Sequence, residues 1–307
     1  MLPGNPIDRI VSPMASAASR AQVAKQYGLD LPLDVQYVRY MGGLLHGDMG
    51  VSFSTGDPVA KDLESFFPAT LELTTYAMIV ALIAGLGLGL ASAVRRNTWI
   101  DSLGRILSVS GIAIPVFWLA IVLVFLFAYR SHVMPAPIGR LDPHLNPPGT
   151  ITGFYVIDSM LEGRWADLVN SVRFLILPVF CLAFGAMAPI ARMGRSGMIE
   201  ALRAPYLTAA TALGLPPRSR VLRHALRNAL LPVVTMVAVV YGFLLGGSVL
   251  VENIFAWPGL GRYAYNAISG NDYPAVEGFI LYATTIYVLM FLIADVVYAL
   301  LDPRIER

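Results

Sequence analysis

The stretch TTYAMIVALIAGLGLGLASAV, residues 74–94, carries no charged residue and is long enough to cross a bilayer as one helix. A helix needs about 20 apolar residues to span the roughly 30 Å hydrocarbon layer. Four further apolar runs follow, at 106–129, 174–191, 228–251 and 278–301. Of the 307 residues 56% are apolar and 14% are charged, whereas about 25% are charged in a typical soluble domain. The sequence therefore predicts an all-α membrane protein with five visible spans.

The distribution of arginine predicts how these spans are oriented. The connections 95–105 and 192–227 together hold ten Arg and two acidic residues. The connections 130–172 and 252–277 hold four Arg and seven acidic residues. Because short cytoplasmic connections are enriched in Lys and Arg, we expect the first two connections in the cytoplasm and the other two outside.

The same orientation divides the chain into three parts. Residues 1–72 form a predicted extracytoplasmic segment, 73–302 a transmembrane domain, and 303–307 a cytoplasmic tail. Residues 1–72 contain no signal peptide with a basic start followed by an apolar stretch. We therefore expect a further hydrophobic helix to precede Met1 in the native protein.

The sequence contains no recognisable catalytic motif. Neither of the two lysines, Lys25 and Lys61, follows a glycine, so the phosphate-binding loop GxxxxGK[ST] is absent. The four histidines are scattered, and Cys181 has no second cysteine with which to pair. The run GLGLGLAS at 85–92 lies inside a predicted span, where small residues favour close helix packing over nucleotide binding.

Asp295 is the only acidic residue within the five apolar runs. Charged side chains inside a bilayer are costly and often functional. Asp295, however, stands about two helical turns from the predicted cytoplasmic end of its run. We expect a structural role for it in preference to transport chemistry.

A short apolar segment interrupts the basic connection 192–227. Pro205 suits the first turn of a helix, and Gly214 followed by two prolines ends it. Within this segment one predicted apolar face, with the spacing i, i+3, i+4, i+7, is formed by Tyr206, Ala209, Ala210 and Leu213. Isolated helices shorter than about 12–15 residues are marginal in water. The helix at 205–213 is therefore predicted to dock against a partner.

Three arginines follow on one side of a second predicted helix: Arg220, Arg223 and Arg227. Long basic side chains at the end of a span reach lipid headgroups while their stems stay on apolar surface. We expect these arginines to contact membrane lipid. A nucleic-acid partner is not expected, because the basic face is short and lies beside the membrane.

Residues 205–232 resemble the cytoplasmic signature loop of binding-protein-dependent ABC importer permeases, in the form found in dipeptide and oligopeptide systems. The matching positions are Tyr206, Thr208, Ala209, Ala212, Gly214, Leu215 and the run RHALRNALLP at 223–232. Thr208, Ala209 and Ala210 stand where the broader superfamily has Glu-Ala-Ala. The stretches 27–53, 112–120 and 252–278 also resemble the first of the two peptide permeases.

The resemblance implies a type I ABC importer transmembrane domain in a bacterial inner membrane. Family members have six spans, the first directly before an LPGDP-like motif, and here LPGNP begins at residue 2. The implied partners are a second permease, two ATP-binding subunits that bind ATP and Mg, and an extracytoplasmic substrate-binding protein. This chain would itself bind no cofactor and carry out no catalysis.

The resemblance also gives the short helix a role. Helix 205–213 would be the coupling helix that fits a groove on one ATP-binding subunit, through Tyr206, Thr208, Ala209, Ala210, Leu213 and Gly214. The cargo would be peptides, and nickel or a haem-like ligand stays open.

Other classes of function make different demands on the sequence. An ion-coupled secondary transporter for small solutes would need several intramembrane ionisable residues, and the apolar runs hold one. A membrane enzyme would need a nucleophile and a base within its spans, and no His lies in any of them. A purely structural anchor would leave the docking helix without a purpose.

Overall fold

The computed structural model describes residues 11, 16–26 and 28–301. Beyond residue 293, only the side chain at 296 belongs to the description. Among these residues the regular secondary structure is helical, apart from one isolated β-bridge between Val51 and Pro58. We number the described helices in chain order: α1 Ala17–Gln26, α2 Leu33–Leu45, α3 Val59–Val94, α4 Trp99–Ala113, α5 Val116–Leu123, α6 Tyr155–Leu161, α7 Trp165–Arg203, α8 Pro205–Ala212, α9 Pro217–Ala229, α10 Leu231–Gly247, α11 Val249–Ile254, α12 Leu260–Ser269 and α13 Tyr273–Leu301.

Two long helices, α3 of 36 residues and α7 of 39 residues, form the centre of the molecule. Their packing depends on glycine. A Cβ at Gly85 would lie 2.8 Å from the carbonyl oxygen of Met187, and one at Gly89 would lie 2.5 Å from that of Ala191. The two backbones therefore approach more closely than a larger residue would permit. The small-residue packing predicted for 85–92 is confirmed.

Replacing Gly89 with Leu should separate α3 from α7 and destabilise the fold. Overpacking of a tight contact typically costs about 1–3 kcal/mol, and here the obstacle is backbone, which yields less than a side chain. Gly87→Leu is the matched control, because a Cβ at Gly87 meets nothing within 4 Å. Thermal unfolding of both purified variants in detergent would check this expectation. Equal midpoints for Gly89→Leu and Gly87→Leu would contradict it.

The apolar runs correspond to helices, although two of them are not simple spans. Three described helices are long and apolar enough to cross a membrane alone, Val59–Val94, Trp165–Arg203 and Tyr273–Ile293. The number rises to five if each of two bent pairs counts as one span. The predicted span 174–191 is the middle of the longer helix α7.

The predicted span 106–129 is bent by 99° where α4 gives way to α5. Ile114 is extended, with φ −84° and ψ 119°, directly before Pro115. A proline disfavours helical geometry in the residue before it and donates no backbone hydrogen bond, which explains the break. Beyond α5 the helix widens into a π-helical turn at Val124–Arg130.

The predicted span 228–251 is likewise divided. Its central part is α10, and α9 meets α10 at an angle of 50° near Leu230. At the other end, Ser248 separates α10 from α11.

The first long helix begins before the predicted start of the transmembrane domain. The boundary set between residues 72 and 73 falls inside α3, which begins at Val59. Asp62 and Glu72, which lie in this first part of α3, are buried and accept hydrogen bonds. The predicted tail 303–307 lies outside the described residues. Asp295 lies in α13, and its side chain is outside the description.

The two ends of α3 pack against different parts of the chain. At the Val59 end, a buried cluster joins α3 to α12 and α13 through residues such as Leu63, Leu260 and Val276. At the Val94 end, Ala93 packs with α7, α8 and α9 in a second cluster. A helix of this length extends over about 50 Å at 1.5 Å per residue. The α8–α9 hairpin is therefore far from the α12 region.

Candidate functional site

The short helix α8 follows the long helix α7 almost without a linker. α7 ends at Arg203, Ala204 is extended with φ −68° and ψ 144°, and α8 begins at Pro205. Proline suits this first position because it has no N–H that would need a partner there. Ala204 is thus the only residue between α8 and α7, the helix that runs through the core.

α8 packs on its own chain through Leu207 and Ala210, which are 5% and 8% exposed. They contact the cluster that contains Met198, Ala201 and Ala225. The predicted apolar face is therefore divided between two sides. Ala210 faces the protein, whereas Tyr206 and Leu213 are 41% and 81% exposed.

The inclusion of Ala210 in an outward docking face was wrong, because Leu207, three residues earlier, anchors this side of α8 on α9 and α7. Ala209 and Thr208 are exposed. The hydroxyl of Tyr206 accepts a hydrogen bond from the side-chain amide of Asn228 at 3.0 Å. The exposed surface of α8 and the residue that follows it thus includes Tyr206, Thr208, Ala209 and Leu213.

Gly214 ends α8 in the left-handed conformation, with φ +75°. The N–H of Leu215 donates to the carbonyl of Ala210 at 3.1 Å, and that of Gly214 donates to Thr211 at 3.0 Å. These two bonds form the Schellman motif, for which glycine is the preferred residue. The predicted turn at Gly214 is confirmed.

The three arginines on α9 do not share one environment. Arg223 and Arg227 are exposed, whereas Arg220 is half-buried and donates from Nη1 to the hydroxyl of Thr211 on α8. Residues Arg220–Ala225 form a π-helical turn, whose i→i+5 bonds change the register of an α-helix. The single basic side predicted for these arginines was therefore wrong for Arg220, while headgroup contact stays a prediction for Arg223 and Arg227.

A bidentate ion pair supports the same end of the molecule. Arg195 of α7 donates from Nε and Nη2 to the two carboxylate oxygens of Asp101 in α4, at 2.8 and 3.1 Å. Asp101 is fully buried and also accepts from the N–H of Asn97 at 3.1 Å. This pair joins α4 to α7 about two turns before α7 ends at Arg203.

Sequence analysis missed a buried ionic network near the other end of α3. Glu72 is fully buried and accepts from Arg140 Nη2 at 2.5 Å and from the N–H of Val156 at 3.0 Å. The guanidinium of Arg140 lies 3.6 Å from the ring centre of Tyr155 and 5.7 Å from that of Trp257. The charge of Arg140 is thereby neutralised by Glu72, and its guanidinium stacks on the ring of Tyr155. The residue is 8% exposed.

A second buried acid, Glu252, ties three helices together. Its Oε1 accepts from Thr70 of α3 at 2.8 Å and from Ser248 at 2.9 Å, and its Oε2 accepts from the N–H of Arg262 in α12 at 3.0 Å. Burial raises the pKa of Glu252, and these hydrogen bonds act in the opposite direction. Glu252 is a structural junction whose donors all come from its own chain.

No group of three or more His, Cys, Asp or Glu residues that could hold a metal ion occurs within the part of the chain that the structure describes.

The architecture matches that of a solved ABC importer. The methionine transporter MetNI, solved in inward-facing conformations, aligns with a TM-score of 0.58 over 76% of this chain and 93% of that chain, at 17% identity. The fold is thus that of a type I ABC importer transmembrane domain.

The family follows from sequence. Residues 85–307 match the family described as "Binding-protein-dependent transport system inner membrane component". The chain is 44% identical to the probable D,D-dipeptide transport system permease protein DdpB of Escherichia coli strain K12, over all of this chain and 90% of that protein. It is 41% identical to the dipeptide transport system permease protein DppB of Alkalihalophilus pseudofirmus, over 100% and 91% of the two chains. The glutathione transport system permease protein GsiC of Salmonella paratyphi A is 37% identical, over 100% and 90%. The chain belongs to this family and is a multi-pass inner-membrane permease component.

Proposed function

We propose that this chain is a permease subunit of an ATP-driven dipeptide importer and forms the translocation path with a second, similar permease. The cargo class is supported by relatives named for dipeptides or for glutathione, a tripeptide. An extracytoplasmic binding protein delivers the peptide, and two ATP-binding subunits supply the energy. ATP and Mg are bound by those subunits. This chain binds neither and is not itself catalytic.

The observation that carries the proposal is the position of α8. Leu213, an apolar residue directly after α8, is 81% exposed, and Ala204 alone joins α8 to the core helix α7. Closure of the ATP-binding subunits would displace α8 and, through α7, the spans. The ATP-binding partner must bind the inward-open and outward-open states with different affinities for such coupling to work.

The buried acids Glu72 and Glu252 are the observation that favours an ion-coupled carrier instead. A coupling ion would need a carboxylate with free acceptor capacity. Glu72 is occupied by Arg140 and the N–H of Val156, and Glu252 by two hydroxyls and a backbone N–H. Both acids serve as structural links within the chain. We therefore favour transport driven by ATP over transport driven by an ion gradient.

Uptake of labelled D-Ala-D-Ala and L-Ala-L-Ala into proteoliposomes would test the proposal. The vesicles would hold this chain with its second permease and ATP-binding subunits, and would receive the external binding protein. We expect uptake to require ATP inside the vesicles and to survive a protonophore. Uptake that persists without ATP and stops with the protonophore would contradict the proposal in favour of the ion-coupled carrier. Transport of nickel or a haem-like ligand instead of peptide would correct the cargo.

A further inference from the structure

A cleft of about 600 Å³ lies beside α8. Its walls come from the end of α7, from α8 and from α9. They are formed by Leu202, Leu207, Thr208, Thr211, Ala212, Pro217, Arg220 and Val221. Arg220 is the only charged residue among them. The cleft therefore combines an apolar floor with two hydroxyls and one guanidinium.

The guanidinium of Arg220 is incompletely satisfied. Nη1 donates to Thr211, whereas Nε is buried and has no hydrogen-bond partner. In the described part of the chain, no carboxylate pairs with Arg220. An arginine has five N–H donors in a planar fork suited to a bidentate carboxylate. The unused donors of Arg220 thus match a carboxylate supplied from outside.

The charge around the cleft favours the same occupant. Residues 192–227 contain seven arginines and one acid, Glu200, and one of these arginines, Arg195, is paired with Asp101. A protein surface of this sign attracts and orients an acidic partner surface. We propose that an Asp or Glu side chain of an ATP-binding subunit enters this cleft and pairs with Arg220. This inference rests on the proposed function and adds a polar, orientation-fixing contact to the apolar contact of Leu213.

The occupant is inferred to be protein and not lipid because of where the cleft lies. Its wall includes Thr208 and Thr211 of α8, the helix whose outer surface carries the proposed ATP-binding contact. Arg220 turns toward α8, whereas Arg223 and Arg227, the neighbours expected at headgroups, stay exposed. A partner that covers α8 would cover the cleft with it.

Binding of the ATP-binding subunits to the purified permease pair in nanodiscs would test the inference. Arg220→Met removes the charge and keeps most of the stem, and we expect it to weaken binding about tenfold, as for loss of one charge-assisted contact. Arg218→Met is the matched control, because Arg218 is exposed on the same helix, and it should bind within about twofold of wild type. Thr211→Val removes the hydroxyl that holds Arg220 and should have the smaller effect of the two cleft variants.

Rescue would identify the partner group. Arg220→Glu should lose binding, and one Asp or Glu replaced by Lys on the ATP-binding subunit should restore it. Wild-type binding by Arg220→Met would overturn the inference, and so would a loss in Thr211→Val equal to that in Arg220→Met, since Arg220 would then only hold α8 in place. A loss that appears in nanodiscs with anionic lipid but not in neutral ones would assign the cleft to a headgroup. Wild-type permease that fails to bind the ATP-binding subunits at all would overturn the proposed function itself.

Discussion

Arg140→Met is expected to destabilise the folded chain by about 3–5 kcal/mol, the range typical when one partner of a buried ion pair is removed. The variant would leave the fully buried carboxylate of Glu72 with the N–H of Val156 but without a cation. It would also remove the stacking on Tyr155 and the hydrogen bond from Nη2 to the carbonyl of Gly153 at 2.7 Å. The loop that carries Arg140 would then lose its attachment to α3.

Thermal or SDS-induced unfolding of the purified chain would measure this effect. Arg173→Met is the matched control, since Arg173 is exposed and its described hydrogen bond goes to the carbonyl of Val133 at 3.2 Å. The double variant Glu72→Gln with Arg140→Met should recover part of the loss, because it no longer buries an unpaired charge. Equal stability of the Arg140 and Arg173 variants would contradict the prediction, because the buried carboxylate of Glu72 would then not need Arg140 as its partner.

The positions of the helices could be predicted well from the sequence, because uncharged runs of this length have few alternatives to a bilayer. The bends within the apolar runs could not be predicted from hydropathy. The run 106–129 is uniformly apolar on both sides of the 99° bend, so hydropathy alone reads it as one span. Pro115 was the available signal, and its effect on Ile114 decides the geometry.

The candidate site was predicted in part. The turn at Gly214 follows from local chemistry, since glycine adopts a positive φ without strain. The inward side of α8 depends on α9, which comes later in the chain, and an eight-residue helix with several apolar residues fits more than one docking face. Ala210 was therefore assigned to the wrong side.

The buried acids depend on contacts between distant parts of the chain. Glu72 pairs with an arginine 68 residues away, and Glu252 with a threonine 182 residues away. In the sequence both acids stand at the edges of apolar runs, where they count as ordinary connection residues. Only their hydrogen-bond partners distinguish these two acids from ordinary connection residues. A single sequence does not show which residues so far apart along the chain are in contact.

Leu213→Asp is expected to abolish ATP-driven uptake while the chain still folds. In the proposed assembly Leu213 enters a groove of an ATP-binding subunit, where a carboxylate would be desolvated without a partner. Loss of a central apolar anchor in an interface costs about 2 kcal/mol or more, which corresponds to roughly a 30-fold weaker contact. Because Leu213 is 81% exposed within this chain, the substitution leaves the internal packing unchanged.

Two comparison variants separate docking from folding. Leu222→Asp changes another exposed leucine, 64% accessible on α9, and should retain most of the uptake. Ala210→Glu forces a charge into the contact of α8 with its own chain, so it should lower the unfolding midpoint as well as uptake. Uptake and stimulated ATP hydrolysis in proteoliposomes, together with unfolding midpoints, would measure all three. If Leu222→Asp stops uptake and Leu213→Asp does not, the contact with the ATP-binding subunit lies on α9 and not on α8.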